Sequence, residues 1–235
     1  MRFVHCSTVA VALALFVPSV VAAQDPDASR VVKDGGISVA GWQGKIDPQE
    51  VKAGQVLNNA KLAPAAKGAL QVTTGPAVTY WNPKNVASGN YTVKATFTES
   101  NYMGLNDHPH PYGIVIAGND MGTDNQSYLY CSAYGNGSFI VRGFGPTAFQ
   151  MGGRRPTPHD AVNKAEGKGS SFTQEIALSV DADSVDCVIN GKVVASYPKA
   201  EVVGEGKLKS TDGVYGIRFA HNTDAVVTGL SVTKQ

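Results

Sequence analysis

The chain has 235 residues, a length that suits one large domain or two small ones. Its 20 Lys and Arg residues nearly balance its 19 Asp and Glu residues, so the formal net charge is +1. A charge this close to zero argues against nucleic acid or an anionic membrane as a partner, and it fits a neutral, polar ligand such as a glycan.

The first 23 residues have the pattern of a secretory signal peptide. Arg2 precedes an apolar run at residues 9–17, and small residues at 21–23 mark a cleavage site before Gln24. The apolar run is too short to span a membrane, and no later stretch of the sequence approaches the required length. We therefore expect a soluble protein, secreted to a bacterial periplasm or the cell exterior, whose mature form has 19 basic and 19 acidic side chains.

A leader and the start of one domain follow. Residues 24–36 are polar and predict a flexible leader, and residues 37–235 are interpreted as a single domain. Asp47 stands before Pro48, a pair typical of a turn, so a structural role is favoured over a chemical one. Short strands are predicted at residues 55–58, 69–73 and 77–81, and a longer, alternating strand at 90–98.

Three consecutive strands are predicted between residues 106 and 145. Residues 112–117 are apolar, and residues 138–142 return after a Gly-Asn-Gly turn. The strand between them alternates with a period of two, which predicts one buried face and a row of tyrosines on one face. One face carries Tyr128, Tyr130, Ser132 and Tyr134, and the other carries Leu129, Cys131 and Ala133.

The rest of the chain continues the strand pattern. Residues 146–171 predict a long loop, in which Arg154 and Arg155 are interpreted as solvated rather than ligand-binding. Because no segment after residue 23 shows a helical period, we predict an all-β sandwich or jelly roll of two antiparallel sheets. The remaining strands are predicted at 172–180, 185–189, 192–197, 214–221 and 225–233, with a strong hairpin signal at Asn190-Gly191.

Two cysteines, Cys131 and Cys187, remain after the predicted cleavage. Export to an oxidising compartment would allow a disulfide between them. Two buried thiols are the favoured interpretation because both residues lie among apolar neighbours, and the spacing does not decide between the alternatives.

The loop before residue 112 carries the candidate catalytic side chains Asp107, His108 and His110. In an extended chain His108 and His110 point the same way, and Asp107 would orient one imidazole for acid–base chemistry or act as a metal ligand. No fixed-spacing zinc motif occurs in the sequence, so no metal is predicted and no cofactor is identified. His159 and His221 are interpreted as isolated surface or packing residues.

Aromatic and arginine side chains form a candidate sugar-binding face. Aromatic rings stack on the apolar faces of sugars, and arginine adds forked hydrogen bonds. The alternative is ordinary strand composition, since tyrosine is favoured in sheets. The candidate ligand-binding residues are Tyr102, Tyr112, Tyr128, Tyr130, Arg142 and Arg218.

The sequence lacks the acidic pattern of a standard glycosidase. Retaining enzymes need two carboxylates about 5 Å apart, and no E-x-D-x-E pattern, which places three acids on one strand face, occurs in the chain. The sequence also has no P-loop, nucleophile elbow or dinucleotide fingerprint, which argues against nucleotide chemistry.

Several motifs occur along the chain from residue 37 to residue 235. They are Gly41-Trp42 with Asp47, and the segments 89–93, 108–118, 128–142, 185–194 and 215–218. Together they resemble the concanavalin A-like lectin/glucanase superfamily, and within it the 3-keto-disaccharide hydrolase domain, over about residues 37–235. The resemblance implies a concanavalin A-like jelly roll that holds a glycan on its concave face and cleaves oxidised disaccharides. The acidic residue frequent in the family's His-Pro-Glu element is replaced by His110.

We therefore predict an exported carbohydrate-recognising domain that binds a glycan or disaccharide, with glycoside hydrolysis as an open question. The alternative is a non-catalytic structural or protein-interaction module of the same fold. The sequence does not identify the sugar, its linkage or the oligomeric state.

Overall fold

The computed structural model describes Met1 and residues 28–235. The predicted signal peptide after Met1, and residues 24–27 of the predicted leader, lie outside the described residues. No helix of the described part is long and apolar enough to cross a membrane. The described residues include two short α-helices, Pro48–Lys52 (α1) and Lys199–Val202 (α2). They also include two 3₁₀ turns, Leu57–Asn59 and Ala66–Gly68, and the remaining elements are strands.

The described residues form sixteen strands. In chain order they are Gly36–Ile37 (β1), Gln43–Ile46 (β2), Lys61–Pro64 (β3), Leu70–Thr73 (β4), Val78–Ala87 (β5), Tyr91–Glu99 (β6), Tyr112–Asn119 (β7), Ser127–Tyr134 (β8), Ser138–Phe144 (β9), Ala148–Gln150 (β10), Thr157–Pro158 (β11), Phe172–Val180 (β12), Ser184–Ile189 (β13), Lys192–Pro198 (β14), Gly213–Phe219 (β15) and Asp224–Lys234 (β16).

The strands form two sheets that pack face to face. Sheet A has the order β1-β3-β4-β16-β6-β12-β13-β14, and sheet B has the order β10-β9-β8-β7-β15-β5-β2, with β11 beside β9. The pairing is antiparallel except between β1 and β3. The predicted jelly-roll sandwich of two antiparallel sheets is therefore confirmed.

Alternation along the strands builds the core between the sheets. In β12 the side chains of Phe172, Ile176 and Leu178 are buried in the main core cluster, and in β8 so are those of Leu129 and Cys131. The opposite face of β8 is also buried, because a second apolar cluster covers it. The expectation that β8 buries a single face is therefore wrong, and the cause lies in the loops and neighbouring side chains above it.

Some short elements differ from the sequence predictions. The strand predicted at residues 55–58 is instead the 3₁₀ turn Leu57–Asn59, and β2 and β3 were not predicted. The long loop predicted at residues 146–171 contains β10 and β11, which pair with β9. The strands that were missed have two to four residues and no clear alternation, so their pairing partners decide their structure.

A disulfide joins Cys131 on β8 to Cys187 on β13, and it therefore links sheet B to sheet A. The favoured interpretation of two free thiols is wrong. Both cysteines point into the space between the sheets, and their Cα atoms are 5.9 Å apart, within the range that a disulfide needs.

Glu99, at the end of β6, is an acidic side chain inside the sandwich. It is 5% exposed. Burial raises the pKa of Glu99 from its usual 4.5 to about 7, although the backbone N–H of Met103 donates a hydrogen bond (3.1 Å) to its carboxylate. The folded protein therefore binds the Glu99 proton more tightly than the unfolded chain does.

We expect the stability of the protein to fall as pH rises from about 4.5 to about 7, because Glu99 must then ionise inside the fold. The stabilisation by the bound proton is fully present below the pKa of Glu99 in the unfolded chain. It is lost as the pH rises through the pKa in the folded protein, at a total cost of about 3 kcal/mol. Glu99→Gln should remove this part of the pH dependence in urea unfolding at pH 5 and pH 8. If the free energy of unfolding changed with pH in the same way in both proteins, Glu99 would not be the cause of the change.

Candidate functional site

The face of sheet B that points away from sheet A, called here the outer face, gathers most of the candidate residues. Strand register sets two neighbouring rows across it. One row runs Arg142, Tyr130, Val115, Gly216 and Trp81, and the other runs Ile140, Ser132, Gly113, Arg218 and Thr79. Each row contains one glycine, Gly216 in the first and Gly113 in the second, where a Cβ atom would meet the backbone of the neighbouring strand.

Two adjoining cavities lie on the outer face, with volumes of about 650 Å³ and about 340 Å³. Tyr130, Arg142 and Arg218 line both, so we treat the two cavities as one groove with these three side chains at its middle. The larger end continues to Asp47 and the turn after β9, and the smaller end continues to His108 and His110.

A buried ion pair forms part of the groove floor. The guanidinium of Arg218 donates to both carboxylate oxygens of Asp47, at 2.8 and 2.5 Å. It also donates to the hydroxyls of Thr79 (3.0 Å) and Tyr128 (3.2 Å). Burial acts to lower the pKa of Arg218, but Asp47 and the neighbouring tyrosines outweigh it, so its pKa lies above its usual range.

The ion pair with Arg218 gives Asp47 a role that its neighbours in the sequence do not indicate. It occupies the N-cap position of α1, yet its side chain makes no capping hydrogen bond. The turn predicted at Asp47-Pro48 is present, since β2 ends and α1 begins there. The structural role favoured from the sequence is thus incomplete, because the carboxylate orients an arginine in the groove.

An aromatic layer surrounds Arg218. Its guanidinium carbon lies 4.8 Å from the centre of the Tyr130 ring and 5.1 Å from that of Phe144. The Tyr128 and Phe144 ring centres are 5.1 Å apart. These contacts fix the arginine between rings, and Phe144 and Tyr134 keep part of their surface exposed at the two ends of the groove.

Arg142 is the half-buried cation between the two cavities. One of its terminal nitrogens donates to the backbone carbonyl of Arg154 at 3.0 Å. Its Nε is buried and has no hydrogen-bond partner among the described residues. A guanidinium has five N–H donors, so Arg142 has donors left to offer a ligand in the groove.

The three predicted catalytic residues form a hydrogen-bonded chain at the smaller end of the groove. His108 Nδ1 is 2.7 Å from Asp107 Oδ1, and the Nε2 atoms of His108 and His110 are 2.8 Å apart. His110 Nδ1 is 2.6 Å from the carbonyl oxygen of His221, whose ring stacks on that of His110 at 4.1 Å. The hydrogen bond from His108 holds the pKa of Asp107 below its usual range.

The proton positions in this chain depend on the tautomers of the two rings. His110 Nδ1 lies 2.6 Å from the carbonyl oxygen of His221, an acceptor, and 2.9 Å from the side-chain amide nitrogen of Asn106, a donor. The first contact needs a proton on Nδ1 and the second needs Nδ1 without one, so the two hydrogen bonds alternate with the tautomer. Imidazole nitrogens that exchange donor and acceptor roles are suited to passing a proton between neighbouring groups.

Two predicted ligand-binding residues lie elsewhere. Tyr112 is the first residue of β7 and points into the core, where its ring stacks on Phe97 at 5.4 Å. Tyr102 is 6% exposed and packs edge-on against Phe172. Placing these two tyrosines on a ligand-binding face is therefore wrong. Of the other candidates, Tyr130, Arg142, Arg218, His108 and His110 line the groove, Tyr128 lies beneath it, and Asp107 orients His108.

Four side chains at the site were not identified as site residues from the sequence. Phe144 continues the alternation of Ile140 and Arg142, a signal that extending the strand by two residues would have found. No local sequence pattern identifies the other three, because each is held at the groove by a partner far away in the sequence. They are Asp47, Lys45 and His221.

No group of three or more His, Cys, Asp or Glu side chains within the described part of the chain is arranged to hold a metal ion. The hydrogen bonds of Asp107, His108 and His110 join these residues in a line rather than around a common point. The arrangement suits hydrogen bonding, ring stacking and proton transfer.

No known family model matches the chain, and no curated protein matches its sequence. Solved structures match its fold. The carbohydrate-binding module CBM66 from Bacillus subtilis has a TM-score of 0.53 at 12% identity, over 85% of this chain and 99% of that one. A Bacillus subtilis protein of unknown function with a galectin-like fold has a TM-score of 0.49 at 13% identity, over 82% and 89% of the two chains. Sheep galectin-11 has a TM-score of 0.42 at 13% identity, over 63% and 93%.

The chain is therefore an all-β protein of the concanavalin A-like, jelly-roll class, and its outer face carries an aromatic and arginine-lined groove. The predicted resemblance is confirmed at the level of this class. At these identities the likeness to solved structures is a likeness of fold, so the activity must be argued from the groove itself.

Proposed function

We propose that this protein is an exported carbohydrate-recognising domain whose ligand lies in the groove on the outer face of sheet B. The observation that carries the proposal is that Arg142 and Tyr130 line both cavities, and that the side chain of Arg142 uses one donor on the carbonyl of Arg154 and has others left. Sugars present hydroxyls for such donors and apolar ring faces for aromatic contact.

Export is part of the same proposal. Residues 1–23 have the pattern of a signal peptide. The disulfide between Cys131 and Cys187 supports passage to an oxidising compartment, since structural disulfides are rare in reducing ones. A periplasmic or extracellular protein would meet glycans in that location.

Hydrolysis is the second candidate, and the chain from Asp107 through His108 to His110 favours it. The histidine pair lines the smaller end of the groove, and its hydrogen-bonded imidazoles are of the side-chain type that most often acts as a general acid or base. The carboxylates that line the larger end are Asp47, which is held by Arg218, and Asp124, which pairs with Lys45. Acid–base work by histidine on a glycoside such as a 3-keto-disaccharide therefore fits better than a two-carboxylate mechanism.

A non-catalytic structural or protein-interaction module is the alternative from another class. A flat, apolar outer face would favour it, because docking surfaces are contiguous and apolar. The recessed groove, which combines aromatic rings with unused arginine donors, is what supports the carbohydrate proposal over this alternative.

A thermal-shift screen of residues 24–235 against di- and oligosaccharides, including 3-keto sugars, tests the proposal. A ligand at a hundred times its Kd stabilises the folded protein by about 2.7 kcal/mol. We expect Arg142→Ala to weaken the affinity for any hit by about tenfold or more, because bonds to a charged donor are lost.

Lys94→Ala is the matched control, since it removes an exposed cation from sheet A, on the opposite side of the sandwich. If both variants lost affinity equally, the ligand would bind elsewhere. If no saccharide of the panel shifted the melting temperature of the folded protein, the interaction module would be favoured. Product analysis on the same panel with His108→Gln separates binding from hydrolysis.

A further inference from the structure

The groove concentrates positive charge. The larger end is lined by four basic side chains, Lys45, Lys52, Arg142 and Arg218, and by two acidic ones, Asp47 and Asp124, an excess of two positive charges. The described residues that line the smaller end include Arg142, Arg218 and three histidines but no Asp or Glu. The whole chain, by contrast, has a formal charge of +1.

Both acidic side chains of the lining are engaged by cations. Asp47 is held by two hydrogen bonds from Arg218. The carboxylate of Asp124 is fully exposed and lies 3.1 Å from Lys45 Nζ, which also donates to the backbone carbonyl of Thr123. An exposed pair of this kind is screened by solvent and contributes little. In formal charge, Asp47 balances Arg218 and Asp124 balances Lys45. No carboxylate of the lining balances Arg142.

Arg142 and Lys52 are the lining cations that make no ion pair with a carboxylate of the described part of the chain. Lys52 is exposed at the end of α1, whereas Arg142 is half-buried at the middle of the groove. The one hydrogen bond that Arg142 donates to a described residue goes to an uncharged carbonyl, and its buried Nε has none. The terminal N–H groups that the carbonyl leaves unused can bind a bidentate anion, which would also neutralise the charge of Arg142.

We infer that the groove takes an anionic saccharide, with Arg142 binding the acidic substituent and the partly exposed Phe144 contacting the sugar ring. The inference rests on the proposed function and names the ligand class for the same groove. A carboxylate of a uronic acid matches the planar guanidinium fork bidentately, and a sulfate ester would present similar oxygens. The sequence predicted a neutral ligand because the net charge is near zero. The net charge is an average over the whole chain, whereas the groove has an excess of positive charge.

Isothermal titration with matched ligands tests this inference. The probes are oligomers of galacturonate, glucuronate and guluronate, the same oligomers after reduction of their carboxyl groups, and a sulfated neutral oligosaccharide. We expect at least one acidic oligomer to bind about tenfold or more tightly than its reduced form, and we expect the preference to weaken as salt is raised. Tighter binding of the sulfated probe would assign the anion as a sulfate ester.

Arg142→Gln should abolish the preference for the acidic form, so that the variant binds the acidic and the reduced oligomers with equal affinity. Arg155→Gln is the matched control, because it removes the same charge from an exposed residue that does not line the groove, and it should retain the preference. Equal affinity of wild type for acidic and neutral forms would overturn the inference and leave the proposed function standing. Failure of every saccharide to bind would overturn both.

Discussion

Asp47→Ala is expected to destabilise the protein by about 3 kcal/mol or more, because it leaves the charge of Arg218 buried without a partner. The Arg218 side chain is 9% exposed and that of Asp47 is 20% exposed, so water replaces little of the lost interaction. The same change frees the guanidinium to move away from Tyr130 and Phe144, and saccharide binding should weaken with it. Urea unfolding and ligand titration of the variant measure the two effects.

Two further variants make the Asp47 prediction specific. Asp124→Ala breaks an exposed pair with Lys45, which solvent screens, and should leave the free energy of unfolding nearly unchanged. Combining Asp47→Ala with Arg218→Met should recover much of the lost stability, since a buried ion pair replaced by apolar side chains is often neutral. If Asp47→Ala were as mild as Asp124→Ala, Arg218 would not depend on Asp47 for its place in the groove.

Reduction of the disulfide between Cys131 and Cys187 is expected to cost about 4 kcal/mol of unfolding free energy. The bond closes a loop with a sequence separation of 56 residues, and the loss follows from the added freedom of the unfolded chain. Because the bond links the two sheets, its loss should also increase hydrogen exchange in β8 and β13.

Urea unfolding with and without reductant measures the effect without altering the side-chain volume. The variant Cys131→Ala/Cys187→Ala serves as the control and should be insensitive to reductant. Identical midpoints for oxidised and reduced wild type would show that the disulfide does not stabilise the fold.

The long strands could be predicted from the sequence because their patterns are local. Residues 172–180 alternate over nine positions, and β12 occupies that range. The Asn190-Gly191 pair takes positive φ at both residues, as a tight hairpin requires, and joins β13 to β14. Alternation and turn chemistry are properties of neighbouring residues, so a single sequence carries them.

The inward or outward direction of a uniformly apolar strand could not be predicted. Residues 112–117 in β7 are all buried, so their composition does not reveal which of them face sheet A. Tyr112 shares its parity with Ile114 and Ile116 in the main core, whereas Val115 belongs to the outer cluster. The misplaced Tyr112 follows from this lack of a polar marker.

The assembled site could be predicted only where its residues are close in the sequence. Asp107, His108 and His110 were recognised as a cluster, and the structure shows them hydrogen-bonded to one another. Asp47 and Arg218 are 171 positions apart, and their contact depends on the order of β2, β5 and β15 in sheet B. That order is a property of the whole fold, which no local pattern specifies.

An NMR titration of the mature protein with the tightest saccharide ligand tests the central claim most directly. The account predicts that the amide shifts that change most belong to the outer face of sheet B, around Tyr130, Arg142 and Arg218, with smaller changes near His108. Shifts confined to sheet A, around Lys94 and Glu175, would contradict it, as would a folded protein whose spectrum no saccharide changes.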